Sequence, residues 1–204
     1  MNKQTKRGVV LFAIGAVLLC VALGIFLLQR WEDKMAGQMS HSLLQQLQLN
    51  KPVIDMGEDT HNTQQEQQSS ISDGKMPAKE ILGYSLCGSL RIDSVGIHLP
   101  VLSDWDYDML KVAPCRYQGG ISDGNLIIMG HNYKSHFTPL HNIALGANVS
   151  FKNTVGKVFS YRVAEIVHLK RTDGENLPSE YPLTIFTCTP GGLERIVVRC
   201  ELVK

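Results

Sequence analysis

The apolar positions of the chain are concentrated at its N-terminus and again in its C-terminal half. Residues 8–28 read GVVLFAIGAVLLCVALGIFLL, a run of 21 positions without a charged side chain. A helix rises about 1.5 Å per residue, so roughly 20 apolar residues cross a bilayer core about 30 Å thick. The pattern therefore predicts a transmembrane helix over residues 8–28.

A cleaved signal peptide is the alternative interpretation of this run. Its apolar core usually spans only about 7–15 residues and ends at a small-residue cleavage site. Here the run is longer, and the segment 29–31 (QRW) follows it, which favours an uncleaved signal anchor. The basic residues within 1–7 precede the run, so the positive-inside tendency predicts a cytoplasmic tail and an extracellular remainder. The predicted location is the cell membrane, crossed once and contacting lipid through residues 8–28.

Residues 29–80 are predicted to hold a juxtamembrane helix and a disordered linker. Over 32–50 apolar side chains recur every fourth position, which indicates a helix. They are Met35, Met39, Leu43 and Leu47, and Leu44 broadens the stripe. We favour a stalk on or near the membrane, and a self-association surface is the alternative. Residues 57–79 are so polar that they cannot offset the entropy of ordering.

The folded domain is predicted over residues 81–204. Short apolar runs rich in β-branched and aromatic side chains alternate there with Gly, Pro and Asn turns. The predicted strands are 84–92, 97–100, 125–129, 148–152, 157–168, 183–187 and 195–202. A short helix is expected over 104–112 and a helical turn over 137–143. Many short strands with little helix favour an all-β barrel or sandwich.

Composition excludes several classes of function. A formal net charge of +1 over 204 residues gives no electrostatic footprint for nucleic acid.

The five cysteines are Cys20, Cys87, Cys115, Cys188 and Cys200. They contain no CxxC spacing, and Cys115 could pair with either Cys87 or Cys200. The five-residue spacing of His131, His136 and His141 does not suit one helix face, so we predict neither metal nor cofactor.

Cys188 is the candidate nucleophile. It ends the apolar run 183–188 (LTIFTC) and precedes the turn residues 189–192 (TPGG). A side chain at a strand end beside a loop can reach a substrate, although an isolated cysteine is more often a packed structural thiol. A thiol of pKa near 8.5 also needs a nearby base or cation before it acts as a nucleophile.

Two residues can supply that chemistry. His131 lies in the segment 129–133 (MGHNY), directly after the apolar strand residues 126–128, and Gly130 permits close approach of the chain. If the turn after Cys188 joins antiparallel neighbours, Arg195 stands beside Cys188 and can hold negative charge on an acyl oxygen. Arg199 faces the same side but lies about 13 Å further along the strand, so Arg195 is favoured.

Residues 184–188 (TIFTC), followed by Arg195 and the apolar run 196–198, resemble the threonine–leucine–x–threonine–cysteine signature and trailing arginine of the sortases. Ile185 stands where that family usually has leucine. The segment 130–132 (GHN) resembles the segment of the sortase catalytic histidine. The basic N-terminus, signal anchor, linker and β domain also match the layout of membrane-anchored sortases.

This resemblance implies a closed eight-stranded β-barrel with short helices, preceded by the transmembrane helix. It also implies a cysteine transpeptidase, an enzyme of the thiol peptidase class. Such an enzyme cleaves surface proteins at a C-terminal sorting signal of the Leu-Pro-x-Thr-Gly type. The thioacyl-enzyme is then resolved by an amine of the Gram-positive cell wall, such as a peptidoglycan cross-bridge, or by a pilin lysine. Carried over by position, Cys188 is the nucleophile, His131 the general acid and base, and Arg195 the residue that orients substrate and stabilises the oxyanion.

Alternatives stay open at this stage. Thr187 and Asn132 could bind the substrate backbone, or could be an ordinary strand threonine and turn asparagine. The chain could be a membrane-anchored thiol peptidase that hydrolyses its acyl-enzyme with water. It could also be a non-catalytic membrane-tethered binding barrel, although an intact cysteine, histidine and arginine set argues against that.

Overall fold

A computed structural model describes residues 3–49 and 76–203 of the chain. The helices are α1 (Lys3–Leu49) and α2 (Tyr107–Val112). The strands are β1 (Lys79–Ile81), β2 (Tyr84–Ile92), β3 (Ile97–Leu102), β4 (Cys115–Gln118), β5 (Leu126–Met129), β6 (Asn148–Asn153), β7 (Val158–Lys170), β8 (Leu183–Cys188) and β9 (Glu194–Leu202). Short 3-10 turns cover Asp93–Val95, Thr138–Asn142 and Gly174–Asn176. Most of the predicted linker, residues 57–75, lies outside the described residues.

Eight strands close into a barrel. Around the barrel they run β2, β3, β4, β5, β8, β9, β7 and β6, and β6 pairs back onto β2. The short β1 adds to the first residues of β2, outside this ring. Most neighbours are antiparallel, but two pairs, β3 with β4 and β5 with β8, are parallel. The predicted closed eight-stranded, all-β fold is therefore confirmed.

The apolar periodicity located most of these strands. The prediction over 84–92 matches β2 in full, and the bounds of the other six predicted strands differ from the observed ones by two residues at most. The predicted short helix is shorter than expected because Asp106 caps α2, accepting hydrogen bonds from the backbone N–H groups of Asp108 and Met109. The two unpredicted strands, β1 and β4, are short and partly polar, and their pairing partners define them rather than their own sequence.

Side chains alternate between the barrel interior and its outer surface. The interior packs apolar side chains from most of the strands, among them Leu90, Ile128, Phe151, Ile185 and Val198. Their sequence neighbours point outward, and on one side of the barrel they form a second cluster. It consists of Ile127, Leu177, Phe186 and Val197. This outer cluster stabilises the region where β5 and β8 end and β9 begins.

Helix α1 is continuous from Lys3 to Leu49 and has two different halves. Its first half contains a stretch long and apolar enough to cross a membrane, with a mean hydropathy of 2.5 and no burial against the rest of the protein. Its second half packs on the barrel. The buried residues there are Ala36, Ser40, Leu43 and Leu44. Leu43 joins a cluster with Leu86, Leu102 and Leu110.

The face that α1 buries includes the leucines of the predicted stripe but not its methionines. Met35 and Met39 remain 48% and 38% exposed, whereas Leu43 is fully buried. The contacting positions nearer the first half of the helix are instead small residues, Ala36, Gly37 and Ser40. Small side chains allow the helix axis to approach the barrel closely, and a pattern based on large apolar side chains does not detect them.

Candidate active site

Cys188 and Arg195 lie side by side on the adjacent strands β8 and β9. In the antiparallel ladder between β8 and β9 they are direct Cα partners. Cys188 is exposed, although the five residues before it in β8 are all buried. Val197 and Phe186 form the next outward-facing pair of this ladder and support the thiol and the guanidinium from below. The sequence-based expectation for the β8–β9 hairpin agrees with this geometry.

His131 reaches the same end of the barrel from the neighbouring strand. Parallel pairing of β5 and β8 aligns Met129 with Phe186, so the register continued by two residues aligns His131 with Cys188. Two hydrogen bonds extend the pairing beyond β5. The N–H of Gly130 donates to the Phe186 carbonyl at 3.1 Å, and the Thr187 hydroxyl donates to the Gly130 carbonyl at 2.9 Å.

The turn from β5 into the histidine segment requires glycine at position 130. A Cβ atom placed there would collide with the ring of Phe137, which is fully buried. The backbone of Gly130 therefore lies against an aromatic ring, and the following residue is directed towards β8. The close approach anticipated from the sequence is made to Phe137.

The surroundings of His131 favour its neutral form. Burial lowers the pKa of His131, the nearby Lys111 lowers it further, and Glu32 opposes the shift. Its ring stacks on that of Tyr133, with centroids 4.6 Å apart and planes inclined by 16°. A neutral imidazole has a free ring nitrogen at neutral pH, which is the state that can accept a proton from a thiol.

The two arginines of β9 have different environments. Arg199 donates hydrogen bonds to the carboxylate of Glu165 and to the carbonyl of Asn176, both at 2.8 Å. It therefore connects β9 to β7 and to the loop before β8. The guanidinium of Arg195 instead lies 5.6 Å from the centroid of the Phe186 ring, next to Cys188. This arrangement favours Arg195 over Arg199 as the residue available to a substrate.

Thr187 and Asn132 are both engaged within the protein. Thr187 is 1% exposed, and its hydroxyl is used by Gly130. The Asn132 side-chain oxygen accepts a hydrogen bond from the Thr138 hydroxyl at 3.0 Å and contacts His141 Nε2 at 3.2 Å. Thr187 therefore faces inward, and Asn132 braces its own loop with the oxygen of its amide.

The cysteines divide by environment, and all five are free thiols. Cys87, Cys115 and Cys200 are buried, and burial raises the pKa of each thiol, to about 12 for Cys87 and Cys200. Cys188 is exposed at the end of β8, and Cys20 is exposed on α1. Within residues 3–49 and 76–203, no group of three His, Cys, Asp or Glu side chains is arranged to hold a metal ion.

Helix α1 contributes to the site, which the sequence did not reveal. A cavity of about 500 Å³ lies between the helix and the histidine segment. Its lining includes Phe26, Arg30 and Glu32 from the helix, together with His131 and Tyr133. About 100 residues separate the two groups along the chain, and no local pattern indicates that they meet.

A row of aromatic rings leads away from the candidate site, and it too was not predicted. The Tyr117 ring packs edge-on against Phe186 at 5.4 Å, and Trp105 lies 5.3 Å from Tyr117 on its other side. Trp105 is 39% exposed. The site therefore continues from Cys188 into a surface with aromatic character.

Comparison with known proteins identifies the class of barrel. A family model described as Sortase domain matches residues 90–203, just over half of the chain. A closed barrel of this topology is the sortase fold, and the matched region includes β3 to β9 and all three candidate catalytic residues. The chain belongs to the sortase family.

Solved structures agree with this assignment. A sortase D5 transpeptidase from Clostridium perfringens matches with a TM-score of 0.53 and 20% identity, over 58% of this chain and 79% of that one. Sortase A from Listeria monocytogenes matches with a TM-score of 0.53 and 21% identity, over 58% and 88%. Sortase C1 from Streptococcus suis gives 0.52 and 22%, over 58% and 73%. No curated protein matches the chain in sequence.

Proposed function

We propose that this sortase-family chain is a membrane-anchored cysteine transpeptidase in which Cys188, His131 and Arg195 carry the reaction. The observation that supports this most directly is the direct pairing of Cys188 with Arg195, with His131 at the end of the adjoining parallel strand. These are the groups that a nucleophile, a proton acceptor and an oxyanion partner require. Residues 8–28 anchor the enzyme in lipid, with residues 1–7 in the cytoplasm and the barrel outside the cell.

The first half of the reaction forms a thioester. His131 accepts the proton of the Cys188 thiol, and the thiolate attacks the carbonyl carbon at the bond to be cleaved. A carbon–sulfur bond forms while the carbonyl electron pair moves to oxygen, where the Arg195 guanidinium stabilises the negative charge. The intermediate collapses, the carbon–nitrogen bond breaks, and His131 returns its proton to the departing amine.

The second half transfers the acyl group. An acceptor amine attacks the thioester carbonyl, gives up a proton to His131 and expels the Cys188 sulfur, which regains that proton. One amide bond is lost and one is formed, so no external energy source or cofactor is needed. The proposed donors are surface proteins with a sorting signal of the Leu-Pro-x-Thr-Gly type. The proposed acceptor is an amine of the cell wall or a pilin lysine.

The test uses the full chain in detergent micelles. A fluorophore-labelled Leu-Pro-x-Thr-Gly-like peptide is incubated with triglycine as the added amine, and products are identified by mass spectrometry. We expect cleavage, a ligated product, and complete loss of both in Cys188→Ala. Cys200→Ala, which changes a buried thiol, is the matched control and is expected to stay active. Full activity in Cys188→Ala, or equal loss in both variants, contradicts the proposal.

The same experiment separates the proposal from its alternatives. A product that carries water instead of triglycine, at every amine concentration, indicates a thiol peptidase. Binding of the peptide without any cleavage indicates a non-catalytic barrel. For the topology, protease added to intact cells is expected to degrade the barrel, and full protection contradicts an outward orientation.

A further inference from the structure

The loop that carries His131 is held by α1 as well as by the barrel. This histidine loop, residues 130–138, connects β5 to the 3-10 turn at Thr138–Asn142. Its first contact with the helix is between Ser135 and Asp33. The Ser135 N–H donates to Asp33 Oδ1 at 3.0 Å, and the Ser135 hydroxyl lies 2.7 Å from the same oxygen and 3.0 Å from the Asp33 carbonyl. One helical residue therefore accepts from both the backbone and the side chain of the loop.

A second contact lies two turns further along the helix. Ser40 Oγ donates to the Val112 carbonyl at 2.6 Å, which uses its one proton. Its 3.0 Å contact with His136 Nε2 is therefore a hydrogen bond donated by the imidazole. Both side chains are 1% exposed. Ser40 thus joins the end of α2 to the histidine loop inside the protein.

Between these two contacts the helix backbone and the loop are so close that no additional side-chain carbon fits between them. A Cβ atom added at Gly37 would lie 2.9 Å from the Ser135 Cβ, which is closer than such atoms approach. Any larger residue at this position must move the helix and the loop apart. Gly24, on the same helix, has no atom within 4 Å of an added Cβ and provides a matched reference.

The contacts extend from the helix to the candidate catalytic ring. The Tyr133 ring lies 5.5 Å from the His136 ring on one side and 4.6 Å from the His131 ring on the other. The His136 N–H donates to the Tyr133 carbonyl, and the Phe137 N–H donates to the His131 carbonyl. A shift of His136 away from the helix would therefore move the ring on which His131 stacks.

We propose that the juxtamembrane half of α1 positions His131, with Asp33, Gly37, Ser40 and His136 acting as positioning residues through the histidine loop. The inference rests on the proposed function, because positioning matters for catalysis only if His131 exchanges protons with Cys188. The apolar contact of Leu43 packs the helix against the barrel. The polar contacts fall on the histidine loop and on Val112, and they determine where the loop stands.

The central experiment compares Gly37→Ala with Gly24→Ala in the full chain, in micelles or nanodiscs. Displacement of a catalytic group by about 1 Å can reduce the rate of the reaction about 100-fold. We expect Gly37→Ala to lower kcat by about 10- to 100-fold while KM for the sorting peptide changes by less than about twofold. Gly24→Ala is expected to match the wild type.

A second readout follows the His131 ring without any substrate. His131 faces Lys111 from α2, Glu32 from α1, and the rings of Tyr133 and His136. Burial is the main cause of its lowered pKa. When the loop moves into solvent, the NMR titration of His131 is expected to move upward towards the ordinary range, together with the acidic limb of the pH profile. Asp33→Ala is expected to act like Gly37→Ala, and Asp33→Asn, which keeps the accepting oxygen, to restore both readouts.

The outcomes are distinct. Unchanged kcat and His131 titration in Gly37→Ala and Asp33→Ala overturn the inference. Loss of activity that only follows unfolding, with the His131 titration unmoved, also overturns it and assigns these residues a structural role. If the wild-type chain processes no peptide, the proposed function fails, whereas the His131 titration and the alkylation rate of Cys188 still test the positioning.

Discussion

The hydroxyl of Thr187 donates a buried hydrogen bond to the carbonyl of Gly130, so the residue before the candidate nucleophile is joined to the residue before the candidate base. The bond lies at the open end of the parallel pair formed by β5 and β8. If either strand end rotated out of this pairing, Cys188 and His131 would move apart. The buried side chain of Thr187 therefore helps to fix the spacing of the candidate nucleophile and the candidate base.

Thr187→Val removes this bond while keeping the shape of the side chain. The Gly130 carbonyl then loses a partner inside the protein, which costs about 1–3 kcal/mol. We expect a fall of that size in the free energy of unfolding and a slower reaction of Cys188 with iodoacetamide. Denaturant unfolding and alkylation kinetics measure the two effects. Thr187→Ser retains the hydroxyl, and if it behaves like Thr187→Val the hydrogen bond has no such role.

The two arginines of β9 are expected to give opposite phenotypes. Arg199→Gln removes the ion pair with Glu165 and the bond to the Asn176 carbonyl, and we expect a loss of about 1–3 kcal/mol in stability. Arg195→Gln is expected to change stability by less than about 0.5 kcal/mol but to lower kcat about 100- to 1,000-fold. Thermal unfolding and peptide transfer assays distinguish them. A reversed pattern would move the catalytic role to Arg199.

Stability is expected to fall in mild acid because of His136. Burial lowers the pKa of His136 from its ordinary value of 6.5 to about 4. Between these values the unfolded chain binds more protons than the folded one, so the stabilisation is complete above pH 6.5 and is lost as the pH falls towards 4. The loss is of the order of 3 kcal/mol.

Denaturant titrations at several pH values, followed by circular dichroism, measure this dependence. His136→Gln keeps a donor for Ser40 and carries no titrating ring, so its unfolding free energy is expected to fall less over the same range. Identical slopes for the variant and the wild type would show that His136 is not the source.

Thiol reactivity is expected to single out Cys188. At pH 8, in a Cys20→Ala background, iodoacetamide is expected to modify Cys188 within minutes and to leave Cys87, Cys115 and Cys200 unmodified. Those three thiols are buried and their pKa values are raised, so little thiolate is present or accessible. Peptide mapping by mass spectrometry measures each site, and all four are expected to react in denaturant. Comparable native rates would contradict this distribution.

Much of the barrel could be predicted from the sequence because its strands are coded locally. Alternation of apolar side chains located β2 to its bounds, and the hairpin after Cys188 gave the pairing with Arg195. Alternation also implies that Thr187 faces inward when Cys188 faces outward, so its buried position was accessible to the same argument. The short β4 was not, because its four residues become a strand only through their neighbours on both sides.

The part of the site built by α1 could not be predicted, for a different reason. The contacts of Asp33 with Ser135 and of Ser40 with His136 join positions about 100 residues apart. The helix face that makes them is small and polar near the loop, so it has no hydrophobic signal. Similarly, Arg199 was correctly placed on the same face of the strand as Arg195, but its partner Glu165 lies on another strand.

Because α1 is continuous, it sets the distance between the membrane and the barrel of the proposed enzyme. Only seven residues lie between Leu28, the end of the apolar run, and Ala36, the first residue that the barrel covers fully, and the two are about 12 Å apart along the helix. With residues 8–28 in the bilayer, the same continuous helix joins the membrane to the barrel, so the barrel is held close to the membrane surface. For the proposed enzyme we therefore expect the donor chain and the amine to meet close to the membrane surface.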